Sequence, residues 1–408
     1  MSVQQLRRFP THFRLKDLTA ISAPFMELKT NPYQESAAHA ANAWFERKAV
    51  YDGAKMRRFF SHRFDAFAGM AFPDADTTHL TTCLKFIYWA FSFDDLSDEG
   101  LRSQPDAVQA GVDISMQVLK HPDACQPEFP YACMLQDIWK QVRSTASTGS
   151  CNRFARAVES WMRSLVEQAR NRSTNEIPSV QEFIHLRRRT IGGRIAEAMV
   201  EYSLDLQIPK HVWEHPVLQE MSTAIVDIMT WPNDLCSFNK EQADGDYQNL
   251  VFCIMLERDT DLQSAVDILT DMLVQRVADY VRYKSQLPSF GPEVDSELAR
   301  YNKALEHFTQ ATIVWYYKSP RYFRGQEVLG KPEIVVPIYE MSLTENTPTP
   351  SEQPSAKQDV LESFGFPASF LTHAALAVLI AMCMVYIVAF LKSTAMFAAF
   401  RNHRIPLV

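Results

Sequence analysis

Glycine is scarce in this chain, 12 of 408 residues, and cysteine numbers only seven. No phosphate loop, nucleophile elbow or zinc-type spacing occurs, so the sequence offers no sign of P-loop nucleotide chemistry, α/β-hydrolase catalysis or a structural zinc site. The cysteines (Cys83, Cys125, Cys133, Cys151, Cys236, Cys253 and Cys383) are odd in number, scattered and without a CxxC pair. They read as reduced thiols of a reducing compartment. The opening stretch MSVQQLRRFPTHFRL lacks an apolar core of secretory length, so the main body of the chain is expected in the cytosol. Net charge is −7, with no long basic tract and no aromatic–basic alternation; this argues against nucleic acid as a main partner. Runs of alternating strands with turn signals are missing as well.

What the chain does carry is helical periodicity. Segments such as NRFARAVESWMRSLVEQARNR, VQEFIHLRRRTIGGRIAEAMVEYS and SELARYNKALEHFTQATIVWYY place apolar residues three and four apart, the stripe of a half-buried helix. The expected fold is all-α: a single large helical bundle formed by one domain, residues 1–340. Composition then shifts. Residues 341–366, including SLTENTPTPSEQPSAKQD, are rich in Pro, Ser, Thr and charge and read as a polar flexible linker. Residues 367–392 contain FLTHAALAVLIAMCMVYIVAFL, 22 residues without a full charge. That length suffices to cross a hydrocarbon core of about 30 Å. The expectation is a transmembrane or membrane-embedded helix, followed by a short basic tail at 393–408; the competing reading is a buried helix of the bundle. Lys392, Arg401 and Arg404 favour a tail kept on the cytosolic side, at odds with a simple tail anchor.

Two acidic motifs stand out. In NDLCSFNKE (233–241), Asn233, Ser237 and Glu241 are four residues apart in succession. At about 100° per residue they share one helix face, and three kinds of oxygen donor on a rigid face suit a hard cation such as magnesium. In FIYWAFSFDDLSDEG (86–100), an apolar aromatic helix runs into Asp94, Asp95, Asp98 and Glu99. Carboxylates at a helix C-terminus oppose the helix dipole and repel one another; bound cations explain why that cost is tolerated. Asp94 and Asp98 share a face, while Asp95 points about 100° away. Two basic motifs follow: LRRRTIGGR (186–194) and WYYKSPRYF (315–323), the latter breaking a helix at Ser319-Pro320 and offering Arg321 and Tyr322. Arginine grips phosphate oxygens in a planar fork. Acidic motifs for metal and arginine motifs for phosphate together describe a diphosphate–metal clamp.

These four motifs, in this order and with Arg187 46 residues before Asn233, resemble the class I terpene synthases in their microbial, fungal-like single-domain form, over about residues 10–330. The resemblance implies a class I terpenoid synthase bundle and a sesquiterpene synthase activity. It implies Asp94 binding two of three magnesium ions with Asp98 in support, and Asn233, Ser237 and Glu241 holding the third. Arg187 matches the family's diphosphate sensor, with Arg188 leaving one residue of ambiguity, and Thr190 with Ile191 or Gly192 marks the helix break beside it. Lys240, Arg321 and Tyr322 complete the grip. Phe91 and Trp315 are the foremost candidates, ahead of Phe86, Trp231 and Tyr316, for an aromatic wall that stabilises a carbocation. The implied substrate is a prenyl diphosphate, farnesyl diphosphate first. The membrane segment lies outside the family's pattern and would place the enzyme near membrane-bound oxidases. A chain-elongating prenyltransferase needs a second DDxxD where this chain has the Asn/Ser/Glu triad. A monoterpene or acyclic product is compatible with the same motifs, and a membrane-tethered helical scaffold without catalysis is the non-enzymatic reading. FPDADTT (72–78) lacks the last aspartate of a DxDD acid, so protonation-initiated cyclisation is not implied.

Overall fold

A computed structural model describes residues 9–97, 104–123, 127–174 and 177–340. The expected linker, membrane segment and basic tail lie outside the described residues. Among the described residues, no helix is long and apolar enough to cross a membrane.

Helices dominate. The first group is α1 (Thr19–Ser22), α2 (Gln34–Arg47), α3 (Gly53–Ser61), α4 (Phe64–Ala71) and α5 (Thr77–Asp95). Next come α6 (Pro105–Lys120), α7 (Pro130–Thr145), α8 (Thr148–Thr174), α9 (Val180–Thr190) and α10 (Gly193–Ser203). The last group is α11 (Lys210–Trp213), α12 (Pro216–Ala243), α13 (Leu250–Glu257), α14 (Leu262–Ser285), α15 (Pro292–Lys318) and α16 (Pro320–Phe323). Their starts are written in the sequence. Proline opens α6, α7, α12, α15 and α16, where its missing N–H costs nothing. Asp76 caps α5 by accepting from the Thr78 and His79 amides. Ser179 and Glu182 form a reciprocal capping box on α9.

Three continuous periodic stretches are broken by local backbone geometry. Residues 49–72 divide into α3 and α4 at Arg63, whose φ is +58°. The stretch around RRRTIGGR divides into α9 and α10 at Gly192, with φ +75°; a left-handed turn there suits glycine. Residues 250–287 divide into α13 and α14 around Asp259 (φ +47°).

An all-α reading also misses one feature. β1 (His12–Lys16) and β2 (Glu333–Pro337) form a two-stranded antiparallel ribbon with His12 opposite Pro337 and Lys16 opposite Glu333. Each strand alternates outward and inward residues, burying Phe13 and Leu15 from one and Ile334 and Val336 from the other.

The core is aromatic, its rings supplied chiefly by α4, α5, α8 and α15. Trp315, almost fully buried, stacks on Phe67 with ring centroids 5.0 Å apart and meets Phe64 at 5.3 Å. On the other side Trp89, Phe93 and Trp161 form a second cluster. The cysteines at 83, 133, 151, 236 and 253 are free thiols.

Candidate active site

One cavity, with about 1430 Å³ of empty space including its open mouth, receives side chains from all four sequence motifs. Asp94 enters from the end of α5, Arg187 from the end of α9, and Asn233, Ser237, Lys240 and Glu241 from α12. Arg321 and Tyr322 enter from α16. Each sits in the last turns of its helix or on a short one, so the polar groups gather where the helices end. The remaining wall is largely apolar: Phe67, Phe86, Ile87, Phe91, Trp161, Met229, Phe308, Trp315 and Tyr316. Phe91 and Trp315 meet edge to face at 5.3 Å. Phe67, Trp161 and Phe308 carry no sequence signal of this role, because a cavity-lining aromatic and a core aromatic have the same helical spacing. Trp231 is buried but does not line the cavity.

The two adjacent arginines separate cleanly. Arg187 lines the cavity, donating from Nε to Asp234 Oδ1 at 2.9 Å and from Nη2 to Asn233 Oδ1 at 2.6 Å. Burial opposes its charge, but Asp234, Glu241 and Asp94 outweigh that and hold it above the ordinary arginine value. Arg188 turns away. It makes a two-pronged contact with the buried Asp227 at 2.7 and 2.8 Å, and Arg276 of α14 grips the same carboxylate. Arg188 is therefore held in an ion pair and, unlike Arg187, is not among the cavity-lining residues.

Asp95 does point away from Asp94, as the helical step requires, and it has a partner. Arg321 donates from Nη2 to Asp95 Oδ1 at 2.8 Å. Burial raises the Asp95 carboxyl, yet the Arg321 charge prevails and its pKa lies below the usual value. The same guanidinium lies 5.7 Å from the Phe91 ring. Tyr322 accepts from Asn233 Nδ2 at 3.1 Å. Beyond Asp95 the helix widens into a π-type turn at Leu96 and Ser97, a distortion common at functional sites. Asp98 lies outside the described residues.

A divalent cation fits the triad wall on two counts. Ser237 Oγ is buried and has no hydrogen-bond partner, an unusual cost for a hydroxyl unless something binds it. The Glu241 carboxyl is pushed up to about 7 by burial and by the charges of Asp246 and Asp234, a strain that a bound cation relieves. Among the described residues, no group of three His, Cys, Asp or Glu forms a metal cage. The donor set is mixed: amide, hydroxyl and carboxylate from one helix, with Asp94 across the cavity. Such sparse oxygen ligation suits magnesium, which retains water and takes ligands from substrate phosphates.

Sequence reading missed the supports behind these groups. Asp234, fully buried, anchors Arg187 and accepts from the Leu250 amide at 3.1 Å. Asn249 donates to Glu241 Oε2 at 2.7 Å and to the Asp234 carbonyl at 2.8 Å, fixing the glutamate's rotamer. Arg172 of α8 pairs with Asp246 at 2.9 Å, both lining the cavity. No local signal marks an asparagine that acts on a residue eight positions earlier.

Comparison with known proteins places the chain in a family and a fold. Residues 85–279 match the description of terpene synthase family 2, C-terminal metal binding. Sesquiterpene synthase 9 of Postia placenta is 33% identical over 82% of this chain and 96% of its own length. Alpha-muurolene synthase of Coprinopsis cinerea is 30% identical over 78% of this chain and 76% of its own. In fold, the chain is similar to germacradien-4-ol synthase from Streptomyces citricolor, with a TM-score of 0.64 at 21% identity, covering 72% of this chain and 96% of that one.

Proposed function

Because the chain belongs to the fungal-type class I sesquiterpene synthase family, we propose that it ionises a prenyl diphosphate, farnesyl diphosphate foremost, and folds the allylic cation into a cyclic sesquiterpene. The observation that carries this reading is that one cavity combines charged groups from all four motifs with a largely aromatic and apolar lining. Arg187, Lys240 and Arg321 grip the diphosphate, Tyr322 adds a hydrogen bond, and the positive charge of the three basic groups favours the leaving group as the C–O bond breaks. Asp94, supported by Asp98, would hold two of three magnesium ions, and Asn233, Ser237 and Glu241 would hold the third. Bound there, magnesium supplies the charge that offsets the departing diphosphate oxygens. Phe91 and Trp315 present ring faces and edges to the hydrocarbon chain, and the apolar wall excludes water that would quench the cation.

We also propose, from sequence alone, that residues 367–392 attach this cytosolic unit to a membrane, near oxidases that accept lipophilic products. The test of the activity is incubation of the 1–340 fragment with geranyl or farnesyl diphosphate, with and without magnesium, followed by analysis of volatiles. A magnesium-dependent cyclic C15 product is expected. A geranyl preference or an acyclic alcohol would revise substrate or product. Absence of any metal-dependent binding or diphosphate release would return the chain to a scaffold.

A further inference from the structure

The metal-binding face of α12 accounts for only half of that helix. Asn239 and Gln242 lie about 140–200° round from the centre of the Asn233/Ser237/Glu241 face at 100° per residue. They are 1% and 2% exposed, so a polar back face is buried and must be satisfied. Asn239 sits within the NDLCSFNKE stretch but off its ligand face, Gln242 follows that stretch, and neither lines the cavity.

Their partners come from the end of the ribbon. Asn239 Nδ2 donates to the Pro337 carbonyl at 2.6 Å, and the Tyr339 amide donates to Asn239 Oδ1 at 2.8 Å. Gln242 Nε2 donates to the Tyr339 carbonyl at 2.7 Å. Tyr339 thus spends both of its backbone groups on the rear of the triad helix. Its ring faces elsewhere: the Arg324 guanidinium lies over it, 3.5 Å from the centroid. Arg324 follows Tyr322 by two residues and closes α16 in a left-handed turn.

We propose that Tyr339 is a positioning residue that clamps the two halves of the diphosphate site together, holding the Asn233/Ser237/Glu241 helix at a fixed distance from the Arg321–Tyr322 turn. The ribbon supplies the tether. β2 is paired to β1, and the Ile338 amide donates to the Thr11 carbonyl at 3.0 Å, so the segment arriving at Tyr339 is held from both sides. Inside the cavity, the Asn233–Tyr322 hydrogen bond spans the same two elements. That inner link joins groups that line the cavity, whereas the Tyr339 link is made by residues that do not.

The inference rests on the proposed activity, and its test separates the two. In the full-length protein, Tyr339→Ala removes the ring contact with Arg324, while Tyr339→Phe retains it. Tyr339→Ala should raise the magnesium concentration for half-maximal diphosphate release by about tenfold, the low end for residues that support metal ligands. Tyr339→Phe should match wild type. Hydrogen exchange of the amides at 233–242 should be faster in Tyr339→Ala than in wild type, with helix content unchanged. An unchanged magnesium dependence in Tyr339→Ala, or an equal loss in Tyr339→Phe, overturns the clamp. If wild type itself shows no metal-dependent release, the proposed activity falls, and hydrogen exchange alone decides the clamp: faster exchange supports it and unchanged exchange overturns it.

Discussion

A guanidinium near a helix end points where its 100° step sends it, and the step from Arg187 to Arg188 crosses from the cavity to the seam between α9, α12 and α14. The sequence left open which arginine faces the cavity, a matter of rotation and not of chemistry, and a buried carboxylate inside the bundle, Asp227, pairs with Arg188 together with Arg276. The two arginines should respond differently to substitution. Arg187→Lys keeps a charge beside Asp234 but loses the fork, so turnover should fall about a hundredfold. Arg188→Ala leaves Asp227 with half its compensation and should cost about 2–3 kcal/mol of stability, with turnover per folded molecule near normal. Equal losses of turnover in both variants would refute the assignment. Asp94 gives a second contrast. Asp94→Asn relieves the clash with the helix dipole while removing a metal ligand, so turnover should drop by about a hundredfold or more as the circular dichroism spectrum persists. Near-normal turnover at saturating magnesium would dismiss Asp94 as a ligand.

At the level of elements, the long helices were legible because their apolar stripes are unbroken, and the junctions were not. Arg63 adopts φ +58° between α3 and α4, and no residue there announces a left-handed turn in the way Gly192 does. The ribbon was illegible for another reason: two five-residue strands more than 300 positions apart alternate too briefly to outweigh helical surroundings. The Asp95–Arg321 pair, 226 residues apart, was likewise beyond any spacing argument, although the turn of Asp95 away from Asp94 was predictable. The α3–α4 junction carries its own consequence. His62 is buried there, its backbone carbonyl accepting from Trp315 and Ser319. Burial, then the Arg321 charge, lowers its pKa from 6.5 to about 4, against a smaller opposing pull from Asp95. The unfolded chain takes up this proton below 6.5 and the folded chain resists until about 4, so the contribution is full above pH 6.5 and is lost as pH falls towards 4. The loss should be on the order of 3 kcal/mol. Thermal melts of wild type and His62→Gln across pH 4–7 isolate it: the gap between them should narrow or reverse on the acid side. A constant gap would show that His62 does not titrate in this way.

For the whole molecule, the question is how much of the chain the chemistry needs. Every side chain assigned to the clamp lies between Asp94 and Tyr322, yet the fold continues to the ribbon and on to Tyr339, which reaches back to α12. The catalytic unit on this view ends after residue 340, not after the last recognisable motif. The apolar segment at 370–391 lies beyond it in the sequence, behind a stretch with almost nothing to bury. Two truncations should then behave in opposite ways. A chain ending near residue 345 keeps β2 and Tyr339 and should leave the membrane fraction with turnover per molecule largely intact, whereas full-length protein should need detergent for extraction. A chain ending at residue 331 loses β2, exposes Phe13 and Leu15 of β1, strands the Asn239 amide without its Pro337 acceptor and leaves the Gln242 amide only its longer contacts with Asn239. Each buried amide left unpaired costs about 1–3 kcal/mol, so the shorter chain should fold poorly and lose turnover. Sedimentation and activity assays on the three lengths decide the matter. Should the 345 form be insoluble or inactive while the full-length protein dissolves without detergent, the apolar segment is a helix of the bundle and not a membrane attachment.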